Sequence, residues 1–146
     1  MNFNETIPFL FAQISTYYKV EIEKQLNEFD LHAGQIFILF ELWKTDGLSQ
    51  IQLSNNLRLS PPTINKMVKS LIKNGFVATA VCQSDGRVIE VYLTLKGAAI
   101  RPQVEEKWQK LEEKLVGNLT ATEQLVLSQL VGKLIENVLM TEASEA

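Results

Sequence analysis

The chain has 146 residues, 46% hydrophobic and 21% charged, a balance that suits a globular protein with a real core and excludes a disordered one. It holds no run of 18 apolar residues and no basic leader ahead of an apolar stretch, so neither a membrane span nor a secretory signal is expected, and the expected location is the cytoplasm. One cysteine rules out an intramolecular disulfide, and one cysteine with one histidine makes a zinc site unexpected; no cofactor is implied.

Apolar residues at Ile7, Leu10, Ile14, Tyr17, Tyr18, Ile22, Leu26 and Phe29 recur at steps of mostly three and four, predicting a long first helix. Residues 34–44 predict a second, apolar on most sides through Phe37, Ile38, Leu39, Phe40, Leu42 and Trp43, and therefore buried. Asp46-Gly47 ends it. Ser49 caps a third, short helix to about Asn56, with Leu53 and Leu57 inward. Ser60 is the N-cap of a fourth over residues 60–74, with Pro61 at the first position, where a missing N–H is no loss. Ile64, Met67, Val68, Leu71 and Ile72 form its apolar stripe, and Asn74-Gly75 closes it.

Short β-like runs follow at residues 76–82 and 88–93, joined by a hairpin tip in which Gly86 is expected to allow the turn. Thr94 caps a long helix to about Val116, with Pro102 predicting a kink or a late start. Thr120 with Glu123 forms a capping box for a last helix, and residues 141–146 are expected to fray. The fold class is thus mainly α with a small β-hairpin wing (α+β). It is a winged helix-turn-helix with helical termini. Those termini carry more apolar surface than one small wing domain can cover, which predicts two-fold association through them.

Net charge is −3, but residues 47–97 hold six basic and two acidic side chains, a local +4 on an otherwise acidic chain. Such asymmetry points to a basic functional surface. The fourth helix has the arrangement of a DNA-reading element. Ser60, Pro62, Thr63 and Asn65 stand at its start, where short polar groups and methyls read base edges. Lys66, Lys69 and Lys73 follow, suited to phosphates. Arg87 at a hairpin tip suits a minor groove, with Asp85 holding its guanidinium. Taken singly, these features are also what a solvated helix and a surface ion pair look like. No paired acid and base, no nucleophile with a base and no glycine-rich phosphate loop occurs, so the chain does not read as an enzyme.

The combination is more specific. Asp46-Gly47-Leu48-Ser49-Gln50, Leu53, Leu57, Ser60 to Val68, Leu71, Asn74-Gly75-Phe76-Val77, Asp85-Gly86-Arg87, Leu93-Thr94 and Gly97 together resemble the MarR family of bacterial transcriptional regulators. Leu31 and Gln35 resemble the start of that family's second helix, and the likeness runs from about residue 5 to 141. It implies a single MarR-like domain over 1–146. A DNA-binding lobe would occupy 32–94, with helical dimerisation regions at 1–31 and 95–146. It implies a homodimer on double-stranded DNA, at a pseudo-palindrome whose half-sites lie roughly 34 Å apart. It also implies a repressor released by a small apolar or phenolic effector. Tyr17, Tyr18, Phe37, Phe40, Trp43 and Trp108 are the candidates to line an effector cavity, with the tyrosine hydroxyls as polar handles. The alternative is a winged-helix protein-interaction module without specific DNA binding.

The sequence departs from the family in three places. Ala78-Thr79-Ala80 stands where many relatives carry an arginine at the base of the wing. His32 replaces the usual Thr or Ser cap of the second helix. Ile51 sits at an often charged position. Cys82 is expected to be a packed or idle thiol.

Overall fold

The fold begins with a helix whose apolar stripe has little to bury it. In the computed structural model, which describes residues 1–145 (the side chain of Ala143 excepted), α1 spans Ile7–Leu26, and only Ile22 and Leu26 in it are buried. A short 3-10 turn, Asn27–Phe29, follows it, and Asp30 takes a left-handed conformation that lets the chain double back. α2, Ala33–Lys44, is not buried all round as its composition predicts: Ile36, Ile38, Leu39 and Leu42 are buried, whereas Phe37 is 38% exposed. His32 is a poor cap, as read from the sequence, and the deficit is met from α1. Glu23 Oε1 accepts the Ala33 N–H at 2.8 Å, and Glu23 Oε2 lies 3.2 Å from His32 Nδ1. Gln35 Oε1 accepts the His32 N–H at 3.3 Å.

β1 is the two-residue strand Leu48–Ser49, and α3 spans Gln50–Leu57. Ser49 caps α3 through the Gln52 N–H at 3.1 Å, while the Gln52 side chain accepts the Ser49 N–H at 2.9 Å. Arg58, left-handed, turns the chain into α4, Pro61–Lys73. α4 ends as its sequence predicts: Gly75 is left-handed, and the Phe76 N–H reaches back to the Leu71 carbonyl at 2.9 Å. β2 (Val77–Val81) and β3 (Ile89–Leu93) then pair antiparallel, Val77 with Leu93 through Val81 with Ile89. β1 joins the far edge of β3, so the wing is a three-stranded sheet in the order β1-β3-β2.

Thr94 caps only a short helix, α5 (Leu95–Ala99), before α6 starts at Arg101 and runs to Val116. Pro102 therefore stands in the first turn of α6, the late start its ring demands. α7 spans Ala121–Glu145, so the helix continues through most of the stretch expected to fray at 141–146; Ala146 lies outside the described residues. Among the described residues no helix is long and apolar enough to cross a membrane.

The chain packs as two units, Met1–Trp108 and the remainder from Gln109. The core of the first is built where α2, α3, α4 and the wing meet. Leu26, Leu31, Ile36, Leu39, Leu53, Ile64, Val68, Leu71, Phe76 and Val91 are all fully buried there. Each such side chain contributes about 1.5–3 kcal/mol by leaving water. In the second unit the Thr120–Glu123 box caps α7: Thr120 Oγ1 accepts the Glu123 N–H at 3.2 Å, and Glu123 Oε2 accepts the Thr120 N–H at 2.7 Å. α7 exposes Leu127, Leu130, Leu134, Ile135 and Val138.

Candidate nucleic-acid interface

The residues of α4 divide as a groove-reading helix requires. Ile64, Val68 and Leu71 are fully buried and dock the helix on its own unit. Met67 is half-buried, and Ile72, predicted inward, is 40% exposed. Met67 packs on Gly34 of α2, where a Cβ would come within 2.6 Å of its Cε. Ser70 is drawn to the inner side: the buried Gln35 donates Nε2 to its hydroxyl at 2.7 Å.

The other side of α4 stays open. Pro62, Lys66, Lys69 and Lys73 are exposed, and Thr63 and Asn65 are half-buried. Ser60 caps the helix, its hydroxyl accepting the Thr63 N–H at 3.4 Å and lying 2.8 Å from the Thr63 hydroxyl. Ser60 and Thr63 are therefore partners of each other, and Ser60 shapes the helix start. Three lysines at steps of three and four put positive charge along one side.

At the wing tip, Val88 donates to the Asp85 carbonyl at 3.0 Å and closes a tight turn. The Asp85 carboxylate accepts from Arg87 three times: from the backbone N–H at 3.0 Å, from Nε at 3.1 Å and from Nη2 at 3.3 Å. Those bonds, the side-chain ones first, hold the Asp85 carboxyl below its ordinary value. The Arg87 side chain remains 91% exposed, a cation fixed in direction but open to a partner. Gly86 is not what makes the turn. Its φ is outside the left-handed region, and an added Cβ would meet nothing within 4 Å. The turn is closed by the Asp85 carboxylate and carbonyl instead, which any residue at 86 permits.

Ala78, Thr79 and Ala80 are exposed on β2, and none of the three carries a charge. Ile51 is 66% exposed. Cys82 lies one residue beyond β2, half-buried, with Sγ 3.1 Å from the Ser84 hydroxyl. Beside it the Glu90 carboxyl is held low, first by the Tyr92 hydroxyl at 2.6 Å and then by Cys82.

The six aromatic residues expected around one cavity do not come together. Phe37, Phe40, Trp43 and Trp108 pack on one another, with Phe40 and Trp108 edge to face at 4.8 Å. The Trp43 indole is further tied to the Gly97 carbonyl at 2.9 Å. Tyr17 is 73% exposed. An open groove of about 430 Å³ lies between α1 and α2. It is lined by Tyr18 and Phe37 together with Phe11, Ile14, Ile22, Ala33 and Gly34, and Ser15 and Lys19 supply further polar atoms. Two of the six predicted residues thus reach the groove. Phe40, Trp43 and Trp108 are taken up by packing on one another, while Tyr17 faces out.

A helix-turn-helix followed by a three-stranded wing, with lysines on the second helix and an arginine at the wing tip, defines a winged helix-turn-helix protein. The MarR family model matches residues 31–89. The chain is 24% identical over 126 residues to the HTH-type transcriptional repressor Rv2887 of Mycobacterium tuberculosis, covering 86% of this chain and 91% of that protein. It is 25% identical over 121 residues to the uncharacterized HTH-type transcriptional regulator YwaE of Bacillus subtilis, covering 82% and 71%. Among solved structures, a MarR protein from Peptoclostridium difficile superposes with a TM-score of 0.86 at 25% identity, over 94% of this chain and 89% of that one. A mutant MarR from E. coli complexed with operator DNA superposes with a TM-score of 0.82 at 28% identity, over 92% and 98%. The family model, the relatives and the solved structures together bear out the resemblance of this chain to the MarR family.

Proposed function

We propose that this protein is a sequence-specific DNA-binding transcriptional regulator. It acts as a homodimeric repressor on a pseudo-palindromic operator and is released by a small apolar or phenolic ligand. The observation that carries the reading is the pairing, within one unit, of an α4 whose open side bears Lys66, Lys69 and Lys73 with a wing tip whose Arg87 is oriented by Asp85 yet 91% exposed. Pro62, Thr63 and Asn65 read base edges, Ser60 fixes the helix start, the lysines hold phosphates, and Arg87 enters the minor groove. The lobe over 32–94 binds DNA. The regions 1–31 and 95–146 hold the dimer together, a role supported by the exposed Ile7, Leu10, Phe11 and Ile14 of α1 and by the apolar side of α7. The effector enters the α1–α2 groove, where Tyr18 and Phe37 are its first contacts.

The test is a selection from random-sequence duplexes, followed by titration of the enriched duplex with wild type and with Arg87→Ala. The variant should bind about 1–3 kcal/mol more weakly. Unchanged affinity in that variant would remove the wing from the interface. The cation-free Ala78-Thr79-Ala80 segment favours a second reading, a winged-helix module that binds protein; a selection that enriches no sequence supports it over the first.

A further inference from the structure

Three successive carbonyls at the exit of α4 are held by Thr94 and Lys96. The Lys96 ammonium donates to the Asn74 carbonyl at 2.7 Å, the Thr94 hydroxyl to the Gly75 carbonyl at 2.6 Å, and the Thr94 N–H to the Phe76 carbonyl at 3.1 Å. The ammonium also stands 4.3 Å from the centroid of the buried Phe76 ring. From the other side, the Asn74 amide donates to the Asp30 carbonyl at 3.0 Å. A helix C-terminus carries partial negative charge, and an aromatic face attracts a cation, so Lys96 is favoured here twice over.

Lys96 is one of the six basic side chains of residues 47–97, yet its charge is engaged by its own chain. Among the described residues, Lys66, Lys69 and Lys73 make no hydrogen bond or ion pair. The held carbonyls lie where α4 passes into β2, and the first wing pair, Val77 with Leu93, abuts Thr94. The clamp therefore ties the exit of α4 to the segment that follows β3. We propose that Lys96 is a positioning residue that sets the helix-to-wing geometry, so that α4 and Arg87 engage one duplex together, and that it is not a phosphate contact. This rests on the DNA-binding reading above.

The experiment measures Kd across a series of KCl concentrations for the full-length protein, on the duplex best enriched by wild type and on a scrambled one. The proteins are wild type, Lys96→Met, Lys96→Arg, Arg87→Ala and the Lys96→Met/Arg87→Ala double variant. Lys96→Met should weaken binding to the enriched duplex about 10-fold, leaving scrambled binding and the salt slope as in wild type. Lys96→Arg, which still reaches the carbonyl and the ring, should restore binding. Arg87→Ala should cost several-fold less in the Lys96→Met background, because a misplaced wing has less to lose. Should Lys96→Met lower the folded fraction, Lys96→Gln, a neutral donor, replaces it in the same cycle. A salt slope reduced by about one with equal loss on both duplexes would make Lys96 a phosphate contact and overturn the proposal while the DNA reading stands. Independent losses at Lys96 and Arg87 would equally overturn it. A wild type that binds no duplex would remove the DNA reading and the proposal together.

Discussion

Gly97 offers the sharpest test of how the wing base is built. A Cβ there would lie 2.0 Å from the Phe76 carbonyl oxygen, 3.1 Å from its carbon and 3.3 Å from Leu93 Cδ2. A relaxed carbon-to-oxygen contact is about 3.3 Å or more, so in Gly97→Ala the two backbones must part by over about 1 Å. Neither is free to move. The Phe76 carbonyl accepts the Thr94 N–H at 3.1 Å, the Gly97 N–H donates to the Thr94 hydroxyl at 3.1 Å, and the Gly97 carbonyl accepts the Trp43 indole at 2.9 Å. Losing two of these at about 1 kcal/mol each, with overpacking of about 1–3 kcal/mol, gives a destabilisation of about 3–5 kcal/mol. For a chain of this length that is a fall in Tm of roughly 9–15 °C. Calorimetry at fixed protein concentration measures it, since association itself shifts Tm. Gly86→Ala is the matched control: it has open space and an ordinary φ, so it should be neutral or stabilising by up to about 1 kcal/mol. A Gly97→Ala protein melting within about 3 °C of wild type would refute the close-approach argument.

Two further outcomes follow from the carboxylates. Glu23→Ala removes the acceptor that caps α2 and should cost about 0.5–1 kcal/mol at neutral pH, the low end for a cap because the side chain is 39% exposed. Burial pushes the Glu23 carboxyl up, but the Ala33 N–H, His32 and Lys19 together hold it below its ordinary value. Its contribution is therefore present above the ordinary carboxylate range and lost as pH falls through the lowered value. Urea unfolding of both proteins should show the gap closing as pH falls below the ordinary carboxylate range, and a gap that persists in strong acid would count against the cap. Asp85 should titrate below its ordinary value in wild type, so the wing-tip pairing is lost only in acid beyond that value. Carboxyl NMR of Arg87→Ala should show the Asp85 midpoint moving back up; an unmoved midpoint would mean that the guanidinium does not hold it.

What could be read along the chain was local. The Ser49, Ser60, Thr94 and Thr120 caps are each realised with the N–H three residues on, because capping depends on a short stretch of backbone. The Ile64, Val68 and Leu71 stripe is buried because its period matches the helix. What escaped the sequence depends on partners brought together by folding. Glu23 caps a helix that begins ten residues later, and no spacing rule predicts that. Lys96 counts as a cation of the basic patch until Asn74 and Phe76 are seen beneath it. For a related reason, periodicity says which rings share a side but not whether they enclose space or fill it. Phe40, Trp43 and Trp108 fill it, and the groove opens beside Tyr18 and Phe37.

The pair Pro61-Pro62 at the head of α4 has one more consequence. Helix starts commonly grip anions through their unpaired N–H groups. Here the first two positions have none, and the third, Thr63, is already bonded to Ser60. The leading turn of α4 is thus a rigid, ring-faced surface that offers charge nothing to hold, and it is suited to shape and to methyl groups. Attraction comes instead from the lysines further along and from the wing tip. Added salt would erode how tightly such a protein holds DNA while leaving its choice among sequences largely intact.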